Sequence, residues 1–370
     1  MEARGLSSIV RSISYRGRQA IEIDNADLVI TVLVEGGHIA SMVRKTGNAA
    51  GLNPLWTPPW SALEPSEYSV ERHPEFGTTQ EAPILASIMG HNICLDTYGG
   101  PSAEEAAAGM PIHGEGPLVR YNVETLGARE VRFSAVLPLA QLRFERTIKL
   151  DEHGHTAHIN ETIENLSASD RPIAWTQHVT MGPPFIDYGQ TRFYVTATRS
   201  KVIDADFGGV QKPGAEFDWP MCPTKDGGQV DLRRFTESRK SGEFSTHLSD
   251  PQRKQGAFAA WSPTAKLVFG YAWNREEFPW ICRWEENKHR MDVPWSGRTL
   301  TCAMEFGVSP TVESRREMVN RGSLFGVPSF RWAPAKSRIA ASYCAFLLDA
   351  DRVPTDVQWH AGAEASVRFE

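Results

Sequence analysis

The sequence predicts an all-β protein, a large antiparallel sandwich with few short helices, on three observations. Alternating or β-branched segments dominate, Gly and Pro punctuate them, and helical periodicity is confined to short stretches. Residues 20–24 alternate, residues 27–35 run β-branched into Gly36-Gly37, and residues 38–43 resume after that turn, which is the punctuation of a hairpin. The same texture returns at 131–137, 142–150, 157–165 and 266–273, with 151–155 and 165–170 reading as turns between strands. Helical patterns occur only at 102–109 and 314–321. No shift of composition, internal repeat or low-complexity run divides the chain, so residues 1–370 are expected to form one domain with a core over about 20–350.

Composition narrows the function. With 41% hydrophobic and 23% charged residues the chain is ordinary globular material. A formal charge of -6 argues against a nucleic-acid surface, because phosphate binding requires a clustered basic face. The richest cationic stretch, Arg233-Arg234 through Arg239-Lys240, is broken by Glu237 and reads as a solvated loop. No apolar run reaches bilayer-spanning length, and the first ten residues lack the basic-then-apolar pattern of a secretory signal. Cys94, Cys222, Cys282, Cys302 and Cys344 form no C-x-x-C pair, as expected of reduced thiols in a cytoplasmic protein.

Several chemistries find no motif. His153, His155 and His158 straddle a predicted turn, where alternation sends side chains to opposite faces, so no metal site is expected. Neither a G-x-S-x-G elbow nor a phosphate-cradling glycine loop is present. The segment 53–76 is a long Pro-rich irregular stretch holding Trp56 and Trp60. Long loops in compact domains are often functional, and indoles suit the faces of sugar rings, although tryptophan also fills thick cores.

Three titratable residues stand in apolar, strand-like surroundings: His113 between Pro111-Ile112 and Gly114, His178 before the break at Gly182-Pro183-Pro184, and Glu305 in Cys302-Ala303-Met304-Glu305. Each histidine alone reads equally as a hydrogen-bonded structural residue. Together, imidazoles that titrate near neutrality and a carboxylate tuned by an apolar site suit proton transfer in both directions.

Taken in order, these segments resemble the galactose mutarotase-like family, the aldose 1-epimerases and their relatives. The strand pair around Gly36-Gly37, the Ile112-His113-Gly114-Glu115 segment, the strand from Asn165 to Phe185 and the Met304-Glu305 pair carry the resemblance over about residues 20–350. It implies a β-supersandwich that interconverts sugar anomers with no cofactor. Glu305 would be the base, His178 the acid that protonates the ring oxygen, and His113 an assisting donor. The family's arginine-bearing segment upstream of the first histidine is replaced here by Gly90-His91-Asn92, so the resemblance puts His91 and Asn92 at the sugar. Asp218, Trp284 and Glu285 are further expected substrate contacts. Asp218 reads equally as a turn carboxylate, and Glu285 or Glu286 equally as the partner of Arg283 in an ordinary surface salt bridge. Adjacent Glu285 and Glu286 point to opposite faces of a strand, so only one can line a pocket. The expected partner is a small-molecule carbohydrate. A silent carbohydrate-binding protein, or a hexose-phosphate epimerase or lyase on the same scaffold, remains open beside the isomerase.

Overall fold

A computed structural model describes residues 10–238 and 240–370. The first nine residues, expected to lack a signal, and Arg239 of the cationic stretch lie outside the described residues. The expected antiparallel β architecture is present. A twelve-stranded sheet runs Val10–Tyr15, Arg18–Asp24, Leu28–Leu33, Ile39–Arg44, His91–Asp96, Arg171–Met181, Leu300–Gly307, Trp280–Asn287, Ser241–Ser249, Ala197–Val202 and Glu216–Asp218, with Arg331–Ala333 added to the start of Arg171–Met181. An eight-stranded sheet runs Arg192–Val195, Gln255–Ser262, Leu267–Asn274, Arg338–Asp349, Thr156–Asn165, Leu142–Leu150, Glu130–Leu137 and Asn122–Gly127.

The two sheets pack face to face because each strand sends every second side chain inward. In Glu130–Leu137 and Leu142–Leu150 the buried positions alternate with half-buried or exposed ones, as the sequence pattern requires. Ile93, Leu95, Trp175, Val179, Met304 and Phe306 of the larger sheet meet Phe133, Phe144, Phe258, Phe269 and Tyr343 of the smaller one in one core cluster. Trp273 and Phe306 stack across this interface at 4.2 Å. Each such ring contributes roughly 1.5–3 kcal/mol by leaving water.

Polar groups cross the same core. The Glu161 carboxylate accepts from Arg146 Nε at 2.7 Å, Trp175 Nε1 at 2.8 Å, Gln177 Nε2 at 2.6 Å and the Tyr343 hydroxyl at 2.7 Å. Gln177 Oε1 in turn lies 3.1 Å from Arg146 Nη2 and 3.0 Å from His91 Nε2, and His91 Nδ1 is 3.0 Å from the Tyr271 hydroxyl. The network ties both sheets together.

The helices are single-turn or two-turn pieces. Ala103–Ala107 and Arg315–Arg321 occupy the two predicted places, each opened by a capping box, Ser102 with Glu105 and Ser314 with Glu317. A third, Ala82–Leu85, was not anticipated: one turn gives the sequence no periodicity to show. The turn at 151–155 joins its two strands as expected, and its histidines separate: His155 pairs with Glu364 and His158 with Asp151. All five cysteines are free and buried. No helix among the described residues is long and apolar enough to cross a membrane.

Candidate active site

Strand register builds the site. His178 pairs with Asn92 on one neighbouring strand and with Glu305 on the other, and Glu305 pairs with Cys282 beyond. Directly opposed residues share a face, so Asn92, His178, Glu305 and Cys282 form one row on the face of the larger sheet turned away from the sandwich core. Loops cover this face. His178 and Glu305 are only 6% and 2% exposed.

The row is chemically tight. His178 Nε2 lies 3.3 Å from Glu305 Oε1, and His178 Nδ1 lies 3.0 Å from Thr180 Oγ1, two residues along the same strand and face. The other carboxylate oxygen, Glu305 Oε2, accepts from the Tyr98 hydroxyl at 2.5 Å. Burial disfavours charge on both partners. It pushes Glu305 up to about 8, against a smaller lowering by Tyr98, and His178 down to about 4. Between those values the pair is a carboxylic acid facing a neutral imidazole. With the proton on Oε1, Nε2 accepts, Nδ1–H is given to Thr180 and Oε2 receives Tyr98, so every polar atom is used.

His113 comes from a loop rather than the sheet. Its φ of 63° is in the left-handed region, and the next residue, Gly114, has φ +76°. A Cβ on Gly114 would lie 1.9 Å from the Leu95 carbonyl oxygen. Only glycine lets the loop press against the His91–Asp96 strand, where Leu95 N donates to the His113 carbonyl at 3.1 Å. The imidazole thereby hangs over the row, its centroid 5.7 Å from that of His178. Burial, then the neighbouring His178, push it down to about 3. Gly99 N–H donates to His113 Nδ1 at 3.4 Å, which leaves the neutral ring's proton on Nε2 as a donor.

Tryptophans wall one side. Trp284, on the same face as Glu305, lies 5.9 Å from His178 and 6.1 Å from Trp295, both edge-on. Trp295 stacks on Trp56 at 6.2 Å and meets Trp60 edge-on at 5.3 Å. The Pro-rich segment is therefore part of this wall, held in place by Trp56 N to the Thr180 carbonyl at 2.8 Å.

The structure brings together His113, His178, Glu305, Asn92 and Trp284. It does not bring in the other three expected residues. His91 is one position out of phase with Asn92 and points into the sandwich core, where it bonds Tyr271 and Gln177 and burial keeps it neutral. Glu285 also faces inward and pairs with Arg283, as the sequence left open, but the pair is buried in the core rather than at the surface. Its neighbour Glu286 has the outward position, but its carboxylate accepts from His289 N and Arg290 N at 2.7 and 2.9 Å, fixing the loop that carries Trp295. Asp218 is exposed on the edge strand Glu216–Asp218, four strands from Glu305 and so about 19 Å away at the usual strand spacing.

Sequence reasoning missed Tyr98, Thr180 and Trp295. Tyr98 lies two residues beyond the end of the strand His91–Asp96, after a left-handed Asp96 with φ 76°, so alternation gives no signal for it. Asn92 itself has both amide atoms buried with no partner. Size does not select the site: clefts of about 710 and 930 Å³ around Lys201–Thr246 and Trp359 contain none of the trio. Among the described residues no group of three or more His, Cys, Asp and Glu side chains is arranged to hold a metal ion.

No protein-family model matches the sequence, and no curated protein matches it. Solved structures do match. A candidate aldose 1-epimerase from Klebsiella pneumoniae superposes with a TM-score of 0.62 at 12% identity, covering 90% of this chain and 80% of that one. A galactose mutarotase-like protein from Clostridium acetobutylicum gives 0.57 at 12% identity over 92% and 98%. Another from Lactobacillus casei gives 0.53 at 13% over 89% and 100%. At such identities the likeness is one of fold, and the fold is the galactose mutarotase-like one.

Proposed function

We propose that this chain, as a single mutarotase-like domain, is an aldose 1-epimerase-type isomerase acting on a neutral sugar. The observation that carries the reading is the His178–Glu305 contact at 3.3 Å, a buried pair whose members are shifted in opposite directions, with His113 beside it. Such divergence of two neighbouring titratable groups is the signature of an acid and a base sharing a task.

Ring opening requires the anomeric hydroxyl to lose its proton to a base while the C1–O5 bond breaks and the ring oxygen takes a proton from an acid. C1 becomes an aldehyde, rotation about C1–C2 presents its other face, and closure reverses the transfers. Nothing is oxidised or reduced. Carboxyl–imidazole and carboxylate–imidazolium contain the same number of protons, so a shift across the His178–Glu305 contact turns the resting neutral pair into Glu305 as base and His178 as acid. His113 Nε2–H then steadies negative charge on oxygen. The unpartnered amide of Asn92 suits a sugar hydroxyl, which both gives and takes a hydrogen bond. The indole wall suits the ring's C–H face.

Two observations favour a neutral sugar over a phosphorylated one. The shifts of Glu305, His178 and His113 arise from burial, hydrogen bonds and one another, and among the described residues no lysine or arginine contributes to them. Arg290, 4.8 Å from the Trp295 centroid, is already paired with Glu81 and Asp292. A phosphate needs unpaired cations. The free cysteines fit the proposed cytoplasmic setting. The burial of Glu305 favours a second reading, a silent sugar-binding protein.

Anomer exchange measured by NMR over a panel of neutral aldoses decides between the two. Wild type is expected to accelerate at least one, and Glu305→Gln and His178→Ala to lose about 10²–10⁴ in rate, the usual worth of general acid–base groups. A wild-type rate equal to the buffer rate for every sugar sinks the isomerase.

A further inference from the structure

One short segment touches both the His113 loop and the Glu305 carboxyl. Asp96, at the end of its strand, is held by Arg171 through two bonds of 2.6 and 2.7 Å. Two residues later Tyr98 pairs with Glu313, whose N–H reaches the Tyr98 carbonyl at 2.6 Å. Gly99 follows with φ +115°, where a Cβ would stand 2.7 Å from Glu313 N, so glycine permits this approach. From that fixed backbone the Tyr98 hydroxyl donates to Glu305 Oε2 at 2.5 Å, while Gly99 N–H donates to His113 Nδ1 at 3.4 Å. Tyr98 is 1% exposed, so its hydroxyl bonds Glu305 away from bulk water.

We propose that Tyr98 is a positioning residue: its hydroxyl fixes the Glu305 carboxyl against His178 and sets how readily that carboxyl ionises. The inference rests on the reading of His178 and Glu305 as the proton-transfer pair. Tyr98 donates to the oxygen that does not face His178, which leaves Oε1 as the oxygen that exchanges a proton. A donor stabilises carboxylate over carboxylic acid and therefore opposes burial. The other groups around Glu305 do not substitute for it. His178 flanks it on one strand and Cys282 on the other, Cys302 lies on its own strand, Cys94 is nearby, and His113 stands beyond His178; all are neutral near pH 7, because burial raises the thiols and lowers the imidazoles. Among the described residues no lysine or arginine acts on Glu305.

The test reads the Glu305 carboxyl directly, by difference infrared titration against Glu305→Gln, with near-UV circular dichroism confirming the fold of each variant. Tyr98→Phe is expected to move the Glu305 midpoint upward by about one to two pH units, the equivalent of one hydrogen bond to a charged group. Difluorotyrosine at position 98, a stronger donor of nearly the same shape, is expected to move it downward. For anomer exchange, Tyr98→Phe should lower kcat on the order of tenfold through the loosened carboxyl, with KM nearly unchanged. A folded Tyr98→Phe protein whose Glu305 midpoint equals that of wild type overturns the inference. If wild type exchanges no anomers but the midpoint still moves, the isomerase reading fails and the role of Tyr98 in setting Glu305 survives.

Discussion

The two faces of the larger sheet carry the same kinds of residue one position apart and use them in opposite ways. His91 and Gln177 point inward and Asn92 and His178 outward, on the same two paired strands. Inside, Glu161 accepts four hydrogen bonds from its neighbours and His91 is bonded at both ring nitrogens. Outside, the Asn92 amide has no partner and the Glu305–His178 pair sits at 3.3 Å with its proton unevenly held. The inward Glu161–Gln177–His91 network is saturated and serves to hold the sheets together. On the outward row the Asn92 amide is left unsatisfied, the condition under which a buried group gains by meeting a ligand.

Three changes test this division. The largest effect is expected inside: Glu161→Ala strips Arg146 of its buried counter-ion and should cost roughly 3–5 kcal/mol in denaturant unfolding, the usual penalty for breaking such a pair. A loss under 1 kcal/mol would show that the inner network carries little of the fold.

Next comes the pH dependence of the outer pair. Glu305 is raised from 4.5 to about 8, so the native state keeps a proton the unfolded chain releases; its contribution is full below 4.5 and disappears as pH rises through about 8. His178 is lowered from 6.5 to about 4, so its contribution is present above 6.5 and is lost as pH falls through about 4. Wild type should thus lose stability relative to Glu305→Gln as pH rises from 4.5 to 8. Anomer exchange should fall off below about 4 and above about 8, because both tautomers of the active pair require the same single proton. Parallel stability curves for the two proteins would mean that Glu305 is ionised in the fold.

The smallest effect is expected at Asn92. Asn92→Leu removes two unpartnered buried atoms and should leave stability within about 1 kcal/mol of wild type or raise it, while KM for the preferred sugar rises about tenfold. A clear loss of stability with KM unchanged would make Asn92 an inner-type residue despite its direction.

The sequence made the peripheral strands legible and the central ones only half so. Residues 131–137 and 142–150 alternate because one face is wet, and the observed strands Glu130–Leu137, Leu142–Leu150 and Thr156–Asn165 follow the expected segments closely, the last alternating only in its second half. His91–Asp96 is buried on every residue, since loops cover its outer face as the second sheet covers its inner one. Without alternation the pattern cannot say whether His91 or Asn92 faces the site, and for the same reason Glu285 was preferred to Glu286. The trio was legible as residue types in apolar strands. The contact of Tyr98 with Glu305 spans 207 positions of chain and depends on a register that only pairing decides.

That register has a consequence for folding fidelity. A slip of one residue between neighbouring strands exchanges their faces, which would turn His178 into the core and carry Gln177 out of it. The Glu161 carboxylate would then lose the Gln177 donor, and His91 the acceptor it shares with Arg146. The inner bonds close only in the pairing that turns His178 and Asn92 outward, so the core proofreads the strand alignment on which the reactive row depends.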